Sequence, residues 1–424
     1  MSKTVQSLIL IAVSVISIYT AFYNVGNTAI WWVLLMFILT LFILGKKKFS
    51  NSSNNTNTIL VKIYLAWNVI CIIRGLFVAS DYWEWKFLIQ TSIVMLVPLS
   101  VFILTNTFLV QRIVQQWFRY LLPAFLILIF FMRAESVGHY LIPVSFLLLF
   151  FPFLKSKWKI ICLVLTLVVL GANLGARSNV IKFLIPFTLA MIYYVKIPFT
   201  TKFLKIGRLG LMILPMLLLI LGITNTFNVF KMSDYLEGDF KYGRADIEGA
   251  QDNLTADTRT FLYVEVIGSA LKYDYVWFGR TPARGNESAS FGPSIDKELG
   301  TNKMERHGNE VNILNIFTWT GIIGVLLYFL IFLKATYLAL YKSKSRIMKI
   351  VGVYLAFRWS YGWVEDFSNF NLSYFFLWLT ISMCLSHDFR AMTDSEFKNW
   401  VRGILDIKYR KNVLKKTKVL LHHN

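Results

Sequence analysis

The chain has 424 residues, 56% apolar and 16% aromatic, with a mean hydropathy of +0.56, more apolar surface than a soluble domain buries, which excludes a water-soluble globule. Its formal charge of +21 would suit nucleic acid in a soluble protein, but in a polytopic membrane protein basic hinges between spans account for it, so nucleic acid is not expected as a partner. Cys71, Cys162 and Cys384 all lie in apolar stretches without paired spacing, which excludes a disulfide framework and a zinc site.

The expected fold class is an all-α integral membrane protein with about 12 (10–12) transmembrane helices, each needing about 20 largely apolar residues. Candidate spans lie near residues 5–24, 28–45, 59–79, 88–105, 119–133, 140–154, 159–175, 180–196, 209–228, 310–333, 349–364 and 370–386. Several are short, so one of the fourth to eighth can be re-entrant or tilted. The first has only Lys3 ahead of a long apolar run and no small-residue cleavage site, which predicts an uncleaved helix.

Basic clusters set the orientation: Lys46-Lys47-Lys48, Arg112 with Arg119, Lys155 with Lys157 and Lys159, and the segments 202–208 and 342–349. With the amino terminus inside, every cluster is cytoplasmic. The expected location is the bacterial inner (cytoplasmic) membrane, with both termini cytoplasmic. Residues 1–228 then form an amino-terminal bundle of about nine spans, 229–308 a large extracytoplasmic loop, 309–386 about three further spans and 387–424 a basic tail held at anionic lipid. The loop stands out: 10 Lys and Arg against 13 Asp and Glu, near −3, where the rest of the chain is near +24.

The expected outer face presents 24–27, 81–85, 133–140, 175–179, the long loop and 365–369. Positive-inside sorting should deplete it of arginine, yet Arg74, Arg133 and Arg177 stand at outer span ends. Arg74 and Arg133 can snorkel to headgroups or pair with Asp81, Glu84 or Glu135. Arg177, in Gly175-Ala176-Arg177-Ser178-Asn179, has little acidic company and is a candidate for binding. Tyr82, Trp83, Trp85 and Tyr140 read as interfacial anchors before they read as a sugar surface.

Within the loop, 255–272 predicts a helix capped by Asp257 or Thr258, with Arg259, Leu262, Val266 and Ser269 on one broad face. Arg259 can point toward the membrane or pair locally with Tyr263 or a carboxylate. Trp277-Phe278-Gly279-Arg280-Thr281-Pro282-Ala283-Arg284-Gly285 follows, a turn-rich segment whose glycines permit close backbone approach and whose guanidinium groups suit phosphate oxygens. The loop closes on Glu305-Arg306-His307-Gly308-Asn309-Glu310. At helical spacing, Leu314, Phe317, Gly321 and Gly324 continue the face of Glu310, the two glycines permit a close helix neighbour, and the helix amino terminus favours an anion. Glu310 and His307 are candidate proton acceptors, or caps that face water.

Two of these segments resemble the O-antigen polymerase and O-antigen ligase superfamily of membrane glycosyltransferases. Arg259-x3-Tyr263 leading through Ala270-Leu271 to Trp277-Phe278-Gly279-Arg280 resembles the family's arginine, helix, "fGxG" progression. His307 to Gly324 resembles its "HNxxLxxxxxxGxxG" segment, and Arg177 with its neighbours resembles its "SRg" turn. The match departs in two places: the family's histidine falls on Glu310, with His307 three residues earlier, and Thr281 replaces the second motif glycine. These departures favour the polymerase branch.

The resemblance implies a metal-independent, cofactor-free glycosyltransferase that moves a glycan from a polyprenyl diphosphate donor to a lipid-linked acceptor, building O-antigen (lipopolysaccharide), capsule or exopolysaccharide. Arg177, Arg259, Arg280 and Arg284 would bind the diphosphate, and Glu310 first, His307 second, would take the proton. Membrane lipids are expected partners, and a chain-length regulator is admitted as a further one. The alternatives are a ligase-type transferase and a flippase or other transporter. Against the transporter stand the lack of evident repeats between the halves and the long loop.

Overall fold

The computed structural model describes residues 3–22, 27–49, 57–172, 177–195, 197–224, 226–228, 230–231, 259–406 and 408–409. The part of the loop at 232–258, the predicted caps Asp257 and Thr258, and the end of the tail lie outside the described residues.

The described chain is helical nearly throughout. It begins with α1 (Lys3–Phe22), α2 (Thr28–Phe49), α3 (Ile59–Val78), α4 (Tyr82–Met95) and α5 (Val101–Leu104). There follow α6 (Thr107–Gln116), α7 (Leu122–Leu128), α8 (Ala134–Tyr140), α9 (Ile142–Leu148), α10 (Ser156–Ala172), α11 (Arg177–Met191) and α12 (Ile197–Ile223). Next come α13 (Thr260–Lys272), β1 (Asn286–Glu287), α14 (Gly292–Leu299) and β2 (Glu305–Arg306). The last helices are α15 (Asn312–Tyr341), α16 (Arg346–Tyr361), α17 (Leu372–Leu385), α18 (His387–Ala391) and α19 (Asp394–Leu405).

This is a membrane protein by its helices. Seven runs among the described residues are long and apolar enough to cross: Val5–Phe22, Thr28–Lys46, Ile59–Val78, Tyr82–Leu104, Thr107–Phe131, Thr201–Ile223 and Asn312–Tyr341. Large apolar side chains stand exposed along them, including Ile30, Val33 and Leu44 on α2 and Ile206, Leu217 and Ile220 on α12, as a hydrocarbon solvent allows and water does not.

The five other predicted spans fall on shorter helices. The α9 segment is only 7 residues long, with Pro143 at its start and Pro152 in the turn beyond it; α10 has 17, α11 15, α16 16 and α17 14. At 1.5 Å per residue α17 reaches about 21 Å, short of a hydrocarbon core of about 30 Å. Every one of its residues is buried, so its apolarity serves protein neighbours on all sides.

Segments at or next to the expected outer face meet one another. Trp83 Nε1 donates to Leu299 O at 3.1 Å, Lys182 Nζ lies 3.8 Å from Glu365, and Arg259 Nε donates to Val364 O at 3.2 Å. Residues of the basic hinges and tail meet at other contacts: Lys155 with Asp406 at 2.6 Å, Lys344 N to Arg390 O at 2.9 Å, and Arg402 Nε to Phe153 O at 3.1 Å.

The centre of the fold is α15, packed against α3, α12, α13, α16 and α17. It is not one continuous helix, as its glycine pattern had suggested. Gly321 has φ 67° and ψ −171°, a conformation that glycine adopts without the steric cost other residues meet. The backbone turn at 275–280 fills the break. Ile322 N donates to Val276 O at 2.9 Å and Arg280 N to Thr318 O at 2.7 Å, while Trp67 Nε1 reaches Thr320 O at 3.0 Å. Gly321 therefore does not serve a neighbouring helix but admits a loop, and a Cβ there would stand 2.2 Å from Trp277 O. Irregular backbone at such depth persists only where protein satisfies its polar groups.

Gly321→Ala should therefore destabilise the protein by about 1–3 kcal/mol or more, from backbone strain together with the clash. Gly268→Ala, where an added Cβ meets nothing within 4 Å, should be neutral or mildly stabilising. Thermal unfolding of the two variants in detergent distinguishes them.

Candidate functional site

The site is assembled where α13, the head of α15 and the segment after α16 meet. The helix predicted over 255–272 is observed from Thr260, with Arg259 just before it at φ −133°. Leu262, Tyr263, Val266, Ser269 and Ala270 form its buried face, in agreement with the spacing. Tyr263 Oη donates to Trp363 O at 2.5 Å and Arg259 Nε to Val364 O at 3.2 Å. Two side chains one turn apart thus clamp the same backbone segment and fix where the Arg259 guanidinium stands.

Arg259 then pairs with Glu310 through Nη1 and Oε2. Arg306 Nη2 lies 3.2 Å from the other oxygen of Glu310, and its guanidinium sits 4.2 Å over the Phe291 ring. One carboxylate is bridged by two guanidinium groups, each itself held by a second contact. Glu310 is 51% exposed while Arg306 is only 12% exposed, so the cations form the floor and the carboxylate lies on top. The sequence reading assigned Arg306 no role, although its spacing of four from Glu310 is the available signal.

The head of α15 departs from expectation. The helix starts at Asn312, after Val311, so Glu310 precedes it and does not begin a helical face. Its first amides are already engaged: Asn312 N donates to Glu365 O at 3.3 Å and Ile313 N to Gly362 O at 3.0 Å. They are not open to an anion, contrary to the expectation for a helix amino terminus. Asn309 and Asn315 cross-bond here, with Asn309 N to Asn315 Oδ1 at 2.6 Å and Asn315 Nδ2 to Asn309 O at 2.8 Å. Asn309 Nδ2 continues to Asn286 Oδ1 at 2.9 Å, which ties the β1–β2 pair to α15.

Arg280 and Arg284 stand in a separate network. Arg280 Nη2 is 2.9 Å from Glu305, its Nη1 donates to Gly285 O at 2.8 Å, and it stacks 4.3 Å over Tyr273. Arg284 Nε contacts Glu305 at 2.8 Å and Glu84 at 3.1 Å. Lys303 adds contacts of 2.8 Å to Asp81 and 2.6 Å to Glu84. Glu84 is therefore the buried anchor of the loop on α4, and Arg280 and Arg284 have carboxylate partners that offset their charge. Among the described residues Arg74 pairs with no acid, contrary to one expectation: its guanidinium donates to Phe278 O at 2.6 Å and Gly279 O at 3.2 Å and so caps the inserted turn.

His307 lies away from the open side. Its ring stacks on Phe87 at 3.8 Å, its Nε2 is buried without a partner, and burial pushes its pKa down to about 4, against the pull of Glu305 and Glu84. Arg177 opens α11 and is exposed.

Beside Arg259 runs an apolar cavity of about 710 Å3 between α12, α13 and the end of α16. Leu214 and Leu218 of α12, Val264 and Ile267 of α13, and Trp363 line it. Thr260, next to Arg259, and Val364, whose carbonyl accepts from Arg259, line it too. The arrangement can hold an amphiphile whose apolar chain lies in the groove and whose anionic head meets guanidinium groups.

No family model matches this chain, and no curated protein matches it.

The folded chain holds His307 neutral and the unfolded chain titrates it near 6.5, so between pH 6.5 and about 4 the unfolded state binds more protons. This contribution to stability is complete above pH 6.5 and is lost as the pH falls toward 4, in all about 3 kcal/mol. His307→Phe, which keeps a ring on Phe87, should flatten the acid side of the thermal midpoint against pH, whereas an unchanged slope would show that other groups produce it.

Proposed function

We propose that this chain is a bacterial inner-membrane polysaccharide polymerase. It transfers a glycan from a polyprenyl diphosphate donor to a lipid-linked acceptor on the extracytoplasmic side of the membrane, for O-antigen, capsule or exopolysaccharide. The observation that carries the reading is the apolar groove whose lining includes Thr260, next to Arg259, and Val364, whose carbonyl Arg259 holds. A polyprenyl chain fits such a groove, and a diphosphate fits the guanidinium groups of Arg259 and Arg306. Glu310 stands where diphosphate oxygens would bind, since each of its own oxygens meets one of these arginines.

In the reaction, the acceptor hydroxyl oxygen attacks the anomeric carbon of the donor, and the bond from that carbon to the diphosphate breaks with its electron pair leaving on the diphosphate. Arginines held in place before the reaction stabilise that developing charge at no reorganisation cost. Arg177, exposed at the start of α11, is available to the same head group. Arg280 and Arg284 serve as frame, because Glu305 and Glu84 take their charge and lock the loop to α4.

The motif departure at Thr281 also supports the reading. Thr281 has φ 81°, a region that a β-branched residue enters at a cost and glycine enters freely. The backbone thus keeps the shape of the glycine motif without the glycine.

Arg259→Ala should reduce long-chain polymer by about 100-fold or more while protein level and the single-repeat lipid-linked intermediate persist. Gel profiles of surface polysaccharide, with mass spectrometry of the lipid extract, read this directly. Wild-type chain lengths in that variant would refute the reading, and a deletion strain that accumulates unattached polymer would replace it with a ligase.

A further inference from the structure

A buried cation inside the bundle has no part in the diphosphate site. The side chain of Lys182, on α11, is 1% exposed, and its Nζ lies 3.8 Å from Glu365 Oε1 and 3.2 Å from Ser178 Oγ. Removing an ammonium from water costs several kcal/mol even after relaxation, and ionisable groups inside membrane bundles mark function by default. What the lysine holds is a carboxylate that still reaches solvent, since the Glu365 side chain is 24% exposed.

Glu365 stands where the parts of the site converge. It follows Val364, which lines the apolar groove and accepts from Arg259. Its own carbonyl accepts from Asn312 at the head of α15, and its amide donates to Tyr361 O at 3.0 Å, another groove residue. The charged groups next to it are Lys182 on α11 and the neighbouring Asp366; Lys182 is faced in turn by His139 of α8 and Arg358 of α16, and Tyr361 by Arg259.

The other carboxylates here are engaged. Glu310 is bridged by Arg259 and Arg306, Glu305 holds Arg280 and Arg284, and Glu84 holds Lys303 and Arg284. Asp366 accepts from Ser368 N at 2.8 Å and Asn369 Nδ2 at 3.1 Å. Lys182 approaches Glu365 only to 3.8 Å, too far for a hydrogen bond. Among the described residues Glu365 is therefore the most loosely held of these acids, and its oxygens can take a proton.

We propose that Glu365 is the base that takes the proton from the acceptor hydroxyl, and that Lys182 is the positioning residue that keeps this carboxylate beside the Arg259 site. The inference rests on the transferase reading above. As the hydroxyl oxygen bonds to the anomeric carbon and the diphosphate departs with the electron pair, the hydroxyl proton passes to Glu365 and later to water.

The test compares Glu365→Gln, Glu365→Asp, Lys182→Met and Lys182→Arg with Arg259→Ala in cells, reading initial polymer accumulation after induction, protein level and retained lipid-linked single repeat. Glu365→Gln should slow polymer formation by about 10²- to 10⁴-fold with the single repeat accumulating, and Glu365→Asp should restore part of the rate. Lys182→Met should slow polymer formation at unchanged protein level because the carboxylate loses its anchor, and Lys182→Arg, which keeps the cation, should restore it. Full polymer in Glu365→Gln while Arg259→Ala has lost it would overturn the base and leave the transferase reading standing. Full polymer in both would overturn the transferase reading. If Glu365→Gln lowers the protein level, the Lys182 pair decides, and full polymer in Lys182→Met overturns the proposal.

Discussion

The break in α15 at Gly321 is the constraint on which the rest of the structure depends. Opening a helix inside a bundle strands amides and carbonyls that hydrocarbon cannot satisfy, and the turn at 275–280 supplies partners for them. That requirement fixes the turn, the turn fixes the start of the Arg280 and Arg284 segment, and Arg74 caps the turn from α3. The loop is thus held from below by backbone hydrogen bonds and from the side by the ion pairs of Glu84 and Asp81. A rigid frame of this kind is what a site on irregular backbone needs if its side chains are to stay in register.

The charges divide into two kinds within that frame. Arg280, Arg284 and Lys303 spend their charge on buried carboxylates, where breaking one partner costs more than the pair contributes. Arg259 and Arg306 share one half-exposed carboxylate, and a shared, solvent-facing counter-ion is exchangeable. The two kinds differ in the exposure of the acid each arginine meets, and sequence position does not show it.

The all-helical membrane character was legible from composition, and the buried face of α13 from spacing alone. The break at Gly321 was not legible, because two glycines three apart read equally well as a helix-packing stripe; only the partner of the freed backbone distinguishes them, and it lies 45 residues earlier in the chain at Val276. Likewise the ties of Glu84 and of Lys182 join elements far apart in sequence, and no local pattern announces such pairs. Five of the segments read as spans are helices of 17 residues or fewer, and composition alone does not separate a helix ringed by protein, as α17 is, from one ringed by lipid.

The helix α17 carries that equivalence into biogenesis. All fourteen of its residues are buried, and apart from the adjoining α18 the helices it mainly packs on, α1, α5, α8, α9, α15 and α16, precede it in the chain. Synthesis therefore builds the receptacle before the plug emerges. A segment too short to reach across the bilayer by itself is threaded into a ready-made protein socket, and its retention is set by the completeness of that socket rather than by its own affinity for lipid.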